Sequence, residues 1–245
     1  SLESLAKKLI EHCLPYFITG KCPQIVLRDN RGENFNINSY YERTYKDSLH
    51  QDPMELKGKK YTLYHMLLTE GAEKHELHLC ANSREVKSYA LSTYIPDMKK
   101  KLSNGEDAYY YVGYLAGKYL DEAVNTERSD FDFTDGPMFG DAKESEIVDV
   151  AVGYIRAYLK DELSKAADEK KSQIDILVKT KRPQYRLLLN RHPDVYSKIP
   201  AGLAEDKLDL ELYKHQQQWE LDTVKKKHDI EEKVKQDATS DPSFQ

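Results

Sequence analysis

Two segments of the chain place an asparagine and an arginine directly after a stretch rich in β-forming residues. The first runs from Ala81 to Val86 and reads ANSREV, and the second runs from Val124 to Arg128 and reads VNTER. An asparagine favours a turn, because its side chain can hydrogen-bond the nearby backbone. An arginine on such a turn presents a planar guanidinium, which can bridge two oxygens of an anionic group.

Other residues that could do chemistry are spaced less specifically. His75 and His78 are three apart on a predicted strand, so their side chains point to opposite faces and make a poor metal pair. The tyrosines of 109–114 could stack on nucleic-acid bases, but core packing is the commoner role in a strand. Four carboxylates could bind a cation but lack the distal glutamate of a calcium loop; they are Asp130, Asp132, Asp135 and Asp141.

The composition limits the class of protein. The 245 residues carry a net charge of -5 and a pI near 5.9, which argues against nucleic-acid affinity over the whole surface. The apolar stretch from Tyr61 to Leu68 is far too short to span a bilayer. The three cysteines have no CxxC spacing and indicate reduced thiols. We therefore expect a cytoplasmic protein without a membrane partner.

The elements that must position the two turns follow from periodicity and breakers. The first half predicts a mixed α/β unit in which 1–18 is a helix ending near Pro15 and 39–58 is irregular. Its predicted strands cover 25–27, 35–37, 61–69 and 76–81, with a long strand over 109–120. From Ser145, a plausible N-cap, apolar residues at helical spacing predict an amphipathic helix to about 163. Charged residues then continue to Lys171, the apolar face is renewed by Ile174, Leu177 and Val178, and Pro183 breaks the pattern. Further helices are predicted at 185–189 and 206–235.

The two arginine segments resemble parts of the GHKL ATPases, the group that includes gyrase B, MutL and the ninety-kilodalton heat-shock chaperone. The first, from Ala81 to Val86, is similar to the V-N-G-R-x-V strand end of MutL. The second, from Val124 to Arg128, resembles the chaperone's L-N-x-S-R-E loop and matches the V-N-V-H-P-x-K loop of MutL in position. The chain departs from that pattern at Glu127, which replaces a small residue, and at 129–130, which replaces a glutamate.

The resemblance implies an α+β fold, in which an S5-like α/β transducer domain is followed by an all-helical C-terminal segment. The implied division is a linking helix at 1–20, the transducer domain at 21–140, a helical domain at 141–236 and a disordered tail at 237–245. The chain lacks an initiator Met and begins directly in a helical pattern. We interpret this as a boundary inside a larger protein, after a separate N-terminal ATPase domain.

The resemblance also implies the site residues. In these families the second loop carries a basic side chain to the γ-phosphate of ATP in the preceding domain, so Arg128 is the catalytic candidate and Asn125 shapes its turn. The alternative pair is Arg84 and Asn82, because 82–85 resembles the chaperone's arginine loop as well. Positive charge is needed there because the equatorial oxygens develop charge in phosphoryl transfer.

The nucleotide site itself is not expected in this chain. It has no Asp-x-Gly-x-Gly segment and no phosphate-binding glycine loop, so ATP and Mg²⁺ belong to the full-length protein and the chain alone should not be catalytic. The expected partners are the ATP-binding domain of the same chain, a possible second copy, and a client protein or DNA. The alternative function is a non-catalytic scaffold that binds proteins or nucleic acid.

Overall fold

The structure, a computed structural model, describes residues 2–46, 49–70, 72–103, 105, 107–127, 129–133 and 142–240. By its internal contacts the chain divides into two compact units, Ser1–Lys165 and Ala166–Gln245. Unit 1 holds all the described strands and the helices up to α4, and unit 2 is helical. The architecture is therefore mixed α/β with helices at the C-terminal end.

Unit 1 is built on a six-stranded mixed sheet with the strand order β3-β4-β8-β5-β6, and β7 pairs with β8 at one end. Every neighbouring pair is antiparallel except β5 and β8, which run parallel. The six strands are β3 (His50–Leu56), β4 (Lys59–Leu68), β5 (Glu76–Ala81), β6 (Arg84–Ala90), β7 (Leu102–Ser103) and β8 (Ala108–Ala116). Because β5 and β8 are parallel, their carboxyl ends lie at the same edge of the sheet, where Cys80 is opposite Ala116.

Helices cover both faces of this sheet. On one face lie α1 (Leu2–Ile18), α2 (Ile37–Thr44) and a small hairpin of β1 (Val26–Arg28) and β2 (Asn34–Asn36). Their core includes Ile10, Leu14, Ile37, Met66 and Val112, all at most 4% exposed. On the other face, Tyr158 at the end of α4 (Glu144–Tyr158) stacks on the ring of His65 in β4, with 4.3 Å between ring centroids. Cover on both faces explains why the residues of β5 from Leu77 to Ala81 are all buried, whichever face they lie on.

Several predicted elements need correction. The stretch 39–58 is not irregular, because Asn36 caps α2 by accepting a hydrogen bond from the Ser39 N–H, and β3 then forms despite Pro53. The strand β3 lies at the edge of the sheet, where a proline is tolerated. The first helix continues past Pro15 to Ile18. The long strand predicted over 109–120 ends at Ala116, and α3 (Lys118–Ala123) follows it.

Unit 2 has its own apolar core. Its helices are α5 (Lys160–Thr180, from its residue Ala166 onward), α6 (Arg186–Arg191), α7 (Val195–Lys198) and α8 (Glu205–Ser240). Ile174, Ile199 and Leu212 are fully buried at the centre of the cluster that these helices form. The Lys170 side chain is 3% exposed, and its ammonium donates a hydrogen bond of 2.8 Å to the Ile199 carbonyl. The predicted helices are confirmed here, although α8 runs five residues beyond its predicted end near 235.

Within the described part of the chain, no helix combines the length and the apolar character that crossing a membrane would require.

Candidate functional site

The first asparagine segment is a tight hairpin turn between β5 and β6. Asn82 and Ser83 both have positive φ, at 51° and 63°, and Ala81 pairs with Arg84 across the turn. A two-residue connection with both residues in this conformation matches the right-handed twist of the strands, and asparagine tolerates it best among residues with a side chain. Ser83 is held in place by the hydroxyl of Thr19, which lies 3.1 Å from its Oγ.

The second asparagine segment follows α3 at the same edge of the sheet. The chain turns from β8 into α3 at Gly117. A Cβ atom on Gly117 would lie 2.8 Å from the Lys60 carbonyl oxygen and 3.0 Å from the Tyr61 ring. Only a glycine therefore lets the chain turn from β8 into α3 so close to β4. The Asp121 side chain in α3 accepts a hydrogen bond of 2.6 Å from the Asn82 N–H. This bond joins the first asparagine segment to the helix that leads into the second.

The loop after α3 is closed at its base by Asn125. The Asn125 side chain accepts a hydrogen bond of 3.0 Å from the Ser129 N–H, and its amide donates one of 3.3 Å to the Ser129 hydroxyl. The Asn125 N–H also donates to the Asp130 carbonyl at 3.0 Å. Arg128, the leading candidate, lies outside the described residues. The structure describes the residues on either side of it, up to Glu127 and from Ser129 onward.

The alternative arginine, Arg84, is engaged by the first helix. Its Nε donates a hydrogen bond of 2.6 Å to the Tyr16 hydroxyl, and this bond raises the pKa of the guanidinium. Arg84 itself is exposed at the start of β6. Its position therefore links the hairpin turn to α1.

An ion-pair network connects the Asn125 loop to β6 and to the first turn of α4. Lys87 of β6 lies 3.1 Å from the Asp130 carboxylate and 2.8 Å from that of Glu144. The hydrogen bond that Lys87 donates to Glu144 is the main cause that raises the pKa of Lys87. The hydrogen bond that Asp130 accepts from the Phe131 N–H is the main cause that lowers the pKa of Asp130. Asp130 is thus paired with a lysine, whereas Asp132 is exposed and Asp135 and Asp141 lie outside the described residues.

A second polar cluster, which the sequence did not reveal, lies inside unit 1. The Tyr111 hydroxyl is 2.8 Å from His65 Nδ1, and the opposite ring nitrogen of His65 is 3.3 Å from the Asp52 carboxylate. Asp52 also lies 3.2 Å from the ring of His50. Burial lowers the pKa of His65 to about 4 and raises that of Tyr111 well above its usual value. The imidazole is therefore neutral near pH 7.

This cluster depends on strand pairing. His65 is paired with Gly113 across β4 and β8, and a Cβ on Gly113 would lie 2.8 Å from the Tyr111 hydroxyl. The missing side chain leaves the space through which Tyr111 reaches His65. With no serine or cysteine among its bonded members, the cluster has no nucleophile to activate. We assign it to the structure of the core.

The remaining candidates also have structural roles. His75 is buried, with one ring nitrogen donating to the Lys100 carbonyl and the other accepting from the Tyr111 N–H, both at 2.8 Å. His78 stacks on Tyr114, with ring centroids 4.9 Å apart. Tyr109, Tyr111 and Tyr114 are at most 5% exposed, so the predicted core packing is confirmed for these three tyrosines and they offer no stacking surface. Across the described residues, no group of three or more histidines, cysteines or carboxylates could hold a metal ion.

No protein-family model, no curated protein and no solved structure matches this chain. The function is therefore argued from the residues and the geometry of the chain itself.

Proposed function

We propose that this chain is the transducer region of a GHKL-type ATPase, with an S5-like fold in unit 1, and that it delivers an arginine to ATP held by a neighbouring ATP-binding domain. The single observation that supports this most is the shared edge of the sheet. The parallel strands β5 and β8 end together there, and the hydrogen bond from Asn82 to Asp121 ties the first segment that resembles a GHKL loop to α3, the helix directly before the second.

Of the two arginines, Arg128 is the better candidate for the catalytic residue. Arg84 is held by the Tyr16 hydroxyl, so its side chain already links β6 to α1. The loop of Arg128 is fastened at its base by Asn125, which bonds the backbone of the residue directly after the arginine. Asn125 is then a positioning residue, because it fixes the backbone on which the guanidinium is carried.

The proposed reaction is ATP hydrolysis, in which Arg128 places positive charge beside the γ-phosphate. An arginine supplied in this way stabilises the charge of the transition state and is worth about 10³–10⁵ in turnover in other nucleotide hydrolases. ATP and Mg²⁺ would be held by the ATP-binding domain, and the metal would neutralise phosphate charge there. The residues of this chain contribute the guanidinium and the frame that orients it.

The ion pairs of Lys87 suggest how the loop would be coupled to the rest of unit 1. They connect Asp130 in the loop with Glu144 in the first turn of α4. The pair of Lys87 with Asp130 is partly exposed, and such pairs are individually weak, so it can break and re-form as the loop moves. Insertion or withdrawal of Arg128 would then change the ion pairs of Lys87, and with them the contacts at the start of α4 and in β6.

The test compares ATP turnover and nucleotide affinity in the full-length protein. Arg128→Ala should lower turnover by about 100-fold or more while nucleotide affinity is largely retained, because the arginine acts on the transition state. Arg31→Ala is the matched control, because Arg31 is an exposed arginine on the turn between β1 and β2, and it should leave turnover unchanged. Unchanged turnover in Arg128→Ala would remove this residue from the mechanism, and a loss in Arg84→Ala would transfer the role to Arg84.

A second test concerns the gene. The proposal requires a helix with a Glu-x-x-x-Asn pattern and an Asp-x-Gly-x-Gly segment in the sequence encoded before Ser1. If the encoded protein has neither, the ATPase proposal fails whatever the variants show.

The scaffold function stays as the second candidate because one observation favours it. The helix α8 exposes large apolar side chains beyond the core of unit 2, among them Leu221 and Val224 at 56% and 66% exposure. Large exposed apolar side chains in a row are typical of a surface that binds another protein.

A further inference from the structure

The helix α8 has two apolar faces, and only one of them belongs to the core. Leu208 and Leu212 are buried in unit 2. Leu210, Tyr213, Leu221 and Val224 are 51–66% exposed. At 3.6 residues per turn these four side chains fall within an arc of about 80° on the side of the helix opposite Leu208 and Leu212. We call this set of four the outer stripe.

The outer stripe repeats every eleven residues. Leu210 recurs as Leu221, and the apolar residue at 213 recurs at 224. Eleven residues make three turns at about 3.67 residues per turn, so such a stripe runs almost straight along a helix and can contact another helix over its whole length. The core face follows the same repeat only in part, with Ile230 eleven residues after Trp219.

Charged residues flank the outer stripe with the same period. Lys214 and Lys225 lie on one side of it, and Glu220 and Glu231 lie on the other. When two copies of such a helix pack in parallel, the lysine side of one meets the glutamate side of the other. Antiparallel packing would instead bring the two lysine sides together and the two glutamate sides together, so that like charges would meet. The charge pattern is therefore complementary to a parallel second copy.

The distances along the helix suit this pairing. Lys214 and Glu220 are six positions apart, as are Lys225 and Glu231, which corresponds to about 9 Å along the axis. In the single chain Lys214 instead bonds Glu211, and Gln216 bonds Glu220, each at 2.8 Å. These are exposed contacts within one helix, and they can be exchanged for contacts between helices at little cost.

We propose that the outer stripe is a self-association surface, on which α8 of a second copy of this chain packs in parallel. Leu210, Tyr213, Leu221 and Val224 form the contact, and the flanking lysines and glutamates set the orientation. The stripe is short, so the association should be weak and dependent on concentration. The inference is independent of any role of Arg128.

The test measures the mass of the whole chain by sedimentation over about 1–200 μM, the range in which a small interface is expected to associate. The unaltered chain should shift from monomer to dimer. Leu221→Glu combined with Val224→Glu should raise the dissociation constant by at least about 100-fold, because two carboxylates would be buried. Circular dichroism should show that helix content is kept.

The same helix offers a matched control. Ile230 and Val234 are 62% and 61% exposed but lie on a different face, so Ile230→Glu combined with Val234→Glu should leave the dissociation constant unchanged. A chain that stays monomeric throughout, or control substitutions that weaken association as much as those at 221 and 224, would overturn the proposal.

Charge reversal tests the orientation. Replacing Lys214 and Lys225 by glutamate should weaken association about tenfold or more, because like charges then meet. Reversing Glu220 and Glu231 to lysine in that variant should restore it, because the two sides become complementary again. Failure of this restoration would overturn the parallel arrangement.

Discussion

At the scale of single residues, the buried imidazole of His65 is held by contacts on both of its ring nitrogens and on its face. It is completely inaccessible, stacks on Tyr158, and has Tyr111 and Asp52 on its two ring nitrogens. The Asp52 carboxylate favours the charged imidazolium, but desolvation and the nearby His50 oppose it, and desolvation is the largest of these effects. A group that folding keeps neutral makes stability depend on pH.

His65 should make the protein less stable as the pH falls below neutrality. An unfolded histidine binds its proton near pH 6.5, whereas folded His65 has a pKa of about 4. The contribution is fully present above pH 6.5 and is lost between pH 6.5 and 4, by roughly 3 kcal/mol at most. Urea denaturation at several pH values measures it.

The matched variant for that experiment is His65→Gln, which has no proton to bind. It should be less stable than the original chain at pH 7, but its stability should fall less steeply towards pH 5. His75, whose pKa is also lowered by burial, contributes in the same direction in both proteins and cancels from the comparison. Identical pH slopes would show that His65 is not held neutral by the fold.

At the scale of elements, the turns that connect one element to the next determine where the candidate site residues lie. Gly117 is such a point, because β8 ends and α3 begins against the backbone of β4. The same turn places Asp121 beside Asn82 and carries the chain to Asn125. A change at Gly117 should therefore affect both the stability of unit 1 and the geometry of the candidate site.

Gly117→Ala should destabilise the chain by about 1–3 kcal/mol, the range for a side chain forced into filled space. The clash is with a backbone carbonyl, which cannot move aside as a flexible side chain would. Gly153→Ala in α4 is the matched control, because a Cβ there meets nothing within 4 Å. It should stabilise the helix by about 0.5–1 kcal/mol. Shifts of the same sign in the two urea midpoints would contradict this account.

Some elements could be predicted from the sequence, because their apolar period is long and regular. The helix from Glu144 to Tyr158 and the alternating strand from Glu76 to Ala81 are of this kind. The helix α2 was missed, since only its buried face of Ile37, Tyr40 and Tyr41 distinguishes it from a polar loop. The strand β3 was missed because Pro53 suggests a break, and only its position at the sheet edge makes the proline acceptable.

The turns at Asn82 and Asn125 could be predicted from the sequence, but the contacts around them could not. Asn82 and Asn125 are visible in the sequence as turn residues. The hydrogen bond from Asn82 to Asp121 depends on the parallel pairing of β5 with β8, a contact between distant parts of the chain that no local pattern encodes. The pairing of His65 with Gly113 is of the same kind, so the polar cluster around Tyr111 left no signal in the sequence.

At the scale of the whole molecule, the chain consists of two compact units with separate cores. Leu212 is fully buried in the core of unit 2, and its contacts lie within that unit's apolar cluster. Leu212→Ala should cost unit 2 about 2–5 kcal/mol through lost burial and the cavity it leaves. Hydrogen exchange should show reduced protection in α6 and α8 and unchanged protection in the sheet of unit 1. Equal loss of protection in both units would mean that they unfold together.

The position of β8 has a consequence for the synthesis of this protein. β3 with β4, and β5 with β6, form two hairpins from local sequence, but each pairs with the other only through β8 between them. In a nascent chain the edges of β4 and β5 therefore stay open, in addition to those of β3 and β6, until residues 108–116 have left the ribosome. Open edges are sites of aggregation. Slow translation before β8 would therefore prolong the period in which the nascent chain can aggregate through these edges.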